Sequence, residues 1–128
     1  MIKEKFEVNR SPALSPAVSQ VCVARTAGIA EISGLCVIDS EKKNYARPVG
    51  EQTMLILKDL DRILSGLGIT KEHVIKCNVF LRKMDDYEEM NQAYTQYFGT
   101  ENPPARQTVA VGLSDGYDVE ISFTAVLQ

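Results

Sequence analysis

Tryptophan is absent from this 128-residue chain, histidine occurs once and cysteine three times. A Ser-His-Asp or Cys-His catalytic set would have to rest on His73 alone, and a His-based metal cluster cannot be built. Cys22, Cys36 and Cys77 are odd in number and widely spaced, with no Cys-x-x-Cys pair, so neither a disulfide framework nor a zinc site is expected. No metal is expected. No apolar run approaches the roughly 18 residues needed to cross a bilayer. The first ten residues mix charges into their apolar positions and lack the apolar core of a signal peptide. A cytoplasmic protein without a membrane partner is the expectation. Excess positive charge is missing as well: 14 Lys and Arg against 17 Asp and Glu give a net −3, and the basic residues are scattered. That balance argues against a nucleic-acid partner.

With 45% hydrophobic and 24% charged residues, the composition is that of an ordinary globular protein. The length predicts one domain over residues 1–128. A chain of this size buries only about two thirds of its unfolded surface, so self-association is a natural supplement. Lys5 to Val8 alternates briefly and is followed by a segment with prolines at 12 and 16, which prevent regular pairing. Val18 to Arg25 and Ile29 to Val37 read as a hairpin around Thr26-Ala27-Gly28. Asp39 to Tyr45, with Lys42-Lys43, is a charged loop, and Pro48 suits the first turn of a helix.

From Thr53 the period becomes helical. Ile56, Leu57, Leu60, Ile63, Leu64 and Leu67 form one stripe, and Gly68 is placed as a left-handed C-terminal cap with Ile69 as its apolar contact. Val74 to Leu81 alternates, with Ile75, Cys77, Val79 and Leu81 assigned to one face. Asp85 followed by Glu88 resembles a capping box before a second helix through Met90 and Tyr94 that ends at Gly99. Strands over Ala105 to Val111 and Asp118 to Leu127 close the chain. The order β-β-β-α-β-α-β-β, with two helices on one face of a mixed sheet, is an α+β sandwich. It leaves the other sheet face uncovered. Small and polar residues there suit a protein–protein interface or a site lining.

Asn102-Pro103-Pro104-Ala105-Arg106-Gln107-Thr108-Val109 is the most informative stretch. If Val109 and Val111 pack under the helices, Arg106 and Thr108 point to the open face, together with Glu120, Ser122 and Thr124. A guanidinium is a permanently charged planar fork that takes a carboxylate through two parallel hydrogen bonds. An ion pair from Arg106 to Glu120 across the two strands is the structural alternative. The cysteines read as buried small hydrophobes, the Tyr87, Tyr94, Tyr97 and Phe98 set as core packing, and His73 as a surface residue.

The Pro-Ala-Arg stretch followed by the Val119-Glu120-Ile121 strand resembles the RidA/YjgF family of reactive-intermediate deaminases. Ile32-Ser33-Gly34, the Val74 to Leu81 strand and Met90-Asn91-Gln92-Ala93-Tyr94 resemble further family segments in the same order. The resemblance implies a chorismate-mutase-like fold and a homotrimeric barrel with three clefts between subunits. It implies hydrolysis of 2-imino or enamine acids, products of pyridoxal-phosphate enzymes, to 2-keto acids and ammonia, with no cofactor. By residue match, Arg106 would hold the substrate carboxylate and Glu120 would position or activate water. Ser33, Gly34 and Leu35 would line the pocket with Asn91 and Thr108 nearby. The chain departs from the family pattern at Ala17, where deaminases carry Tyr, at Leu35 in place of Gln, and at Thr108 in place of Cys. These departures bear on substrate range and on turnover, so a trimer that binds a 2-keto acid without catalysis is the second expectation. An RNA-cleaving role, known in the family, is disfavoured by the charge and the single His.

Overall fold

The computed structural model describes residues 2–8, 15–36, 47–113 and 116–128. The expectations for residues 11–14, the loop at 39–45, the end of the third strand at Val37, and Ser114-Asp115 lie outside the described residues. The elements are β1 (Glu4–Phe6), β2 (Val21–Ala24), β3 (Ile29–Leu35), α1 (Val49–Gly66), β4 (Val74–Leu81), α2 (Tyr87–Phe98), β5 (Ala105–Ala110) and β6 (Val119–Val126). Their order is the expected one. The six strands form one mixed sheet in the order β1-β2-β3-β6-β4-β5.

The topology explains why both helices share a face. β6 lies antiparallel between β3 and β4, so β3 and β4 run parallel, and β5 pairs parallel with β4. The crossovers β3-α1-β4 and β4-α2-β5 therefore advance in the same direction across the sheet. With the common right-handed sense of such connections, both helices land on the same side. This is the chorismate-mutase-like α+β arrangement. Among the described residues, no helix is long and apolar enough to cross a membrane.

Helical periodicity starts at Val49, one residue after Pro48, which serves as the N-cap rather than an early helical residue. The predicted stripe is the core: Ile56, Leu57, Leu60, Ile63 and Leu64 are buried against Val79, Ile121 and Phe123 of the central strands. At the C-terminus of α1, Gly68 takes φ +76, its N–H donates to the Ser65 carbonyl and the Ile69 N–H donates to the Leu64 carbonyl. This is a Schellman closure, and Ile69 is buried as its apolar partner. Glu89 of α2 accepts from the Gly50 N–H at 2.7 Å, placing a carboxylate on the positive end of α1.

Three expectations about faces and caps are corrected. In β4, Val74 is buried and Ile75 is 46% exposed, because the pairing with β6 shifts register between Val74 and Lys76 and inverts the alternation there. The Asp85/Glu88 capping box does not form. Met84–Asp86 is a 3-10 turn, and the N-cap of α2 is Asp86 with no side-chain cap bond. A reciprocal cap occurs instead at the 3-10 turn Lys71–His73, where Thr70 Oγ1 accepts from the Glu72 N–H and His73 Nδ1 accepts from the Thr70 N–H.

The largest correction concerns β5. Its parallel register sets Arg106 beside Cys77 and Thr108 beside Val79, two buried residues of the helix-covered face. Paired residues in adjacent strands point the same way, so Arg106 and Thr108 face the helices, and Val109 and Val111 are each 46% exposed.

Leu60→Ala is expected to cost about 2–5 kcal/mol, the range for deleting a buried leucine side chain. Met54→Ala, on the solvent side of the same helix, is expected to stay within about 0.5 kcal/mol. Urea titrations of both variants check the contrast.

Candidate functional site

Two groups of chemistry-bearing residues are present, one on each side of the sheet. The first is built on β5 and α2. Pro103 and Pro104 stiffen the entry to β5, and two residues into the strand Arg106 reaches over α2. Its Nη1 donates to Asn91 Oδ1 and its Nη2 to the Tyr87 hydroxyl, each at 2.7 Å. The guanidinium carbon lies 4.5 Å from the Tyr94 ring centroid and 5.6 Å from that of Tyr87. Cation–π contacts of this kind contribute about 0.5–2 kcal/mol.

None of these partners neutralises the charge. Among the described residues, the ion pairs join Arg25 to Glu4, Arg47 to Glu51, Arg62 to Asp59 and Arg82 to Asp118; Arg106 takes part in none. Its neighbours also stay neutral. Burial pushes the Cys77 thiol up to about 11, with the Tyr94 hydroxyl and the Arg106 charge acting in the opposite sense. Burial and Cys77 push the Tyr94 phenol above its ordinary range. The Thr108 hydroxyl on the same face is buried without a hydrogen-bond partner among the described residues. A half-buried guanidinium held by neutral acceptors keeps its charge available to an anion.

The second group lies on the open face, where β3 meets β6. One extra residue in β3 between Ile32 and Leu35 forms a bulge opposite Phe123 and Ile121. The bulge turns both Ile32 and Leu35 into the core and leaves Ser33 and Gly34 toward Glu120. Gly34 allows a close approach: a Cβ there would collide with Glu120 Oε2 and stand 2.8 Å from its Cδ, so the Glu120 side chain would have to move. The Cys36 thiol donates to Glu120 Oε1 at 3.2 Å. Burial first, then the Glu120 charge and hydrogen bond, push that thiol far above its ordinary range, so it stays protonated and acts as a donor. Ser33 anchors the preceding segment, its Oγ donating to the Ser19 carbonyl at 2.7 Å and its N–H to the Gln20 carbonyl at 2.9 Å. Ala17 lies two residues upstream in an exposed turn closed by the Val18 N–H on the Ser15 carbonyl.

Thus Arg106 and Asn91 come together, as do Gly34 and Glu120, while Ser33 is bonded to Ser19 and Gln20; the two sets are on opposite faces. β4 also separates β5 from β6, so the Arg106–Glu120 ion pair does not exist within one chain. Leu35 is buried in the core of the single chain. Two open grooves of about 650 and 690 Å³ flank α2, and neither is lined by Arg106 or Glu120. Among the described residues, no cluster of three His, Cys, Asp or Glu side chains could hold a metal.

Residues 10–127 match the family model described as Endoribonuclease L-PSP. The chain belongs to this family, the RidA/YjgF family. A RutC family protein of Haemophilus ducreyi is 31% identical over 102 residues, which is 79% of this chain and 83% of that protein. A crystal structure of a Rid family protein of unknown function from Yersinia pestis superposes with a TM-score of 0.83 at 29% identity, covering 97% of this chain and 98% of the other. A mitochondrial protein of Schizosaccharomyces pombe is 31% identical over 120 residues, 91% of this chain and 73% of its own length. RidA/YjgF membership therefore does not fix the compartment.

Tyr87, Tyr94 and Cys36 are the site residues that sequence reasoning placed elsewhere. The tyrosines fall on the helical stripe, which reads as core, and Tyr94 is in fact both core and stacking surface for Arg106. Cys36 sits beside Gly34, and the bulge that turns it toward Glu120 has no local signature beyond the glycine. In this RidA-family chain, Glu120→Gln removes the charge that opposes thiolate formation at Cys36. Alkylation of Cys36 by iodoacetamide at pH 8.5 is therefore expected to quicken severalfold, followed by mass spectrometry. An unchanged rate would contradict the thiol–carboxylate contact.

Proposed function

We propose that this protein hydrolyses small 2-imino or enamine acids to 2-keto acids and ammonia, at clefts between subunits of a homotrimer. The observation that carries this reading is the Arg106 guanidinium, held in place by Asn91, Tyr87 and Tyr94 without a carboxylate of its own. It is preset for the carboxylate that such a substrate carries. Because Arg106 and Glu120 lie on opposite faces, a ligand touching both takes Arg106 from one subunit and Glu120 from another. The uncovered sheet face supports such an assembly, with one domain over residues 1–128 contributed by each chain.

The chemistry requires little. The carbon of a protonated imine is already electrophilic, so a water held by a carboxylate can attack it without a metal or cofactor. Glu120 accepts a proton from that water as the C–O bond forms, giving a carbinolamine. Return of that proton to nitrogen lets the C–N bond break as the hydroxyl proton passes to Glu120, so protonated imine plus water becomes 2-keto acid plus ammonium. General-base help of this kind contributes about 10²–10⁴-fold. A pyridoxal-phosphate enzyme that releases enamines is the upstream partner in this reading, and the cytoplasm is the compartment. Thr108, two residues beyond Arg106 on the same strand face and with no hydroxyl partner among the described residues, is a further candidate for that carboxylate receptor.

A second reading, carboxylate binding without turnover, is favoured by one observation. Glu120 has Oε1 engaged by the Cys36 thiol and Oε2 pressed on Gly34, which restricts its reach for water. RNA cleavage, the activity in the name of the family model, finds no support at His73, whose Nε2 is within 2.7 Å of the Gln128 carbonyl at the far end of β4 from Glu120.

Imines generated in situ by an amino-acid oxidase separate the readings, with ammonia and 2-keto acid measured. Turnover above buffer is expected for the native chain, lowered about 10²–10⁴-fold in kcat by Glu120→Gln. In Arg106→Ala, kcat/KM is expected to fall at least about 100-fold through the lost carboxylate fork. No turnover beside an active control deaminase, with a 2-keto acid bound by the native chain and not by Arg106→Ala, selects the binding reading.

A further inference from the structure

Tyr87 opens α2, and its ring packs where a phenylalanine would serve equally well. Its hydroxyl is the feature to explain. The oxygen accepts from Arg106 Nη2 at 2.7 Å, and among the described residues nothing accepts the phenolic proton. A phenol that receives a hydrogen bond from a cation becomes a better donor, because the guanidinium polarises its O–H bond. That O–H lies beside the Arg106 fork, whose Nη1 is turned toward Asn91 and whose charge has no carboxylate partner among the described residues. The two side chains thus form a single cationic edge with donors from both.

We propose that Tyr87 is a ligand-binding residue: its hydroxyl donates to the carboxylate that Arg106 receives, so the bound group is an anion with two oxygens, one facing the guanidinium and one facing the phenol. This rests on the reading of Arg106 as the carboxylate receptor and deepens it. Arg106 supplies charge and Tyr87 supplies direction. A carboxylate has acceptor lone pairs on both oxygens and satisfies both donors. A carboxamide has one acceptor oxygen and turns an N–H toward one of them, so the site discriminates against it.

Calorimetry with 2-oxobutyrate and 2-oxobutyramide on the full chain tests this, with Tyr87→Phe as the variant. Loss of one hydrogen bond to a charged group is expected to weaken 2-oxobutyrate about tenfold. The thermal midpoint is expected to fall by a few degrees, because Arg106 loses one acceptor while the ring remains. In turnover the same variant is expected to act mainly on KM. In an Arg106→Lys background, Tyr87→Phe is expected to cost less than in the native chain, because the guanidinium no longer polarises the phenol. If the native protein binds 2-oxobutyrate and Tyr87→Phe binds it within twofold, the assignment of Tyr87 is overturned while the carboxylate receptor stands. Native protein that binds neither compound overturns both.

Discussion

Much of this molecule follows from the parallel pairing of β5 on β4. Arg106 lies in register with Cys77, and Cys77 belongs to the face that the helices cover. The edge strand therefore turns a permanent charge toward α2 rather than toward the uncovered face. A guanidinium in that position would be costly without acceptors. Asn91 and Tyr87, one turn apart on α2, supply two, and the Tyr94 ring lies against it. All three are neutral, so the charge is oriented but not neutralised.

The second constraint is the bulge in β3. One inserted residue brings Ile32 and Leu35 to the same side and frees Ser33 and Gly34 to approach β6. Gly34 leaves room for the Glu120 carboxylate where it lies, and Cys36, just past the strand, ends within hydrogen-bond distance of it. The candidate anion-holding group and the candidate base are thus fixed by different features of one sheet, the parallel β4–β5 register and the β3 bulge, on its two sides. A chain organised this way offers two half-sites. The proposal of a shared cleft follows from that separation.

Sequence reasoning located the elements because their signals are local. The stripe from Ile56 to Leu67 and the cap at Gly68 and Ile69 depend on residues within a few positions of each other, and α1 ends as they predict. The alternation in β6, with Val119, Ile121, Phe123 and Ala125 inward, is equally local. Misassignments arose where one side of a strand had to be chosen without its neighbour. Val109 and Val111 look like core, yet the register with β4 turns them outward. Ile75 looks like the start of a buried face, yet a shift against β6 gives that place to Val74.

The residue types themselves therefore determined the α+β order, the helical core stripe and the presence of Arg106 and Glu120 as candidate site residues. The RidA/YjgF resemblance was also carried by the sequence, through short motifs in a fixed order. Tertiary structure decided which face each group occupies, that Arg106 rests on Tyr87, Asn91 and Tyr94, and that Glu120 meets Cys36 across the bulge. The physical reason is parity. A strand's side chains alternate with a period of two, so one register step or one inserted residue reverses every assignment downstream, and the register is set by pairing between segments far apart in the chain.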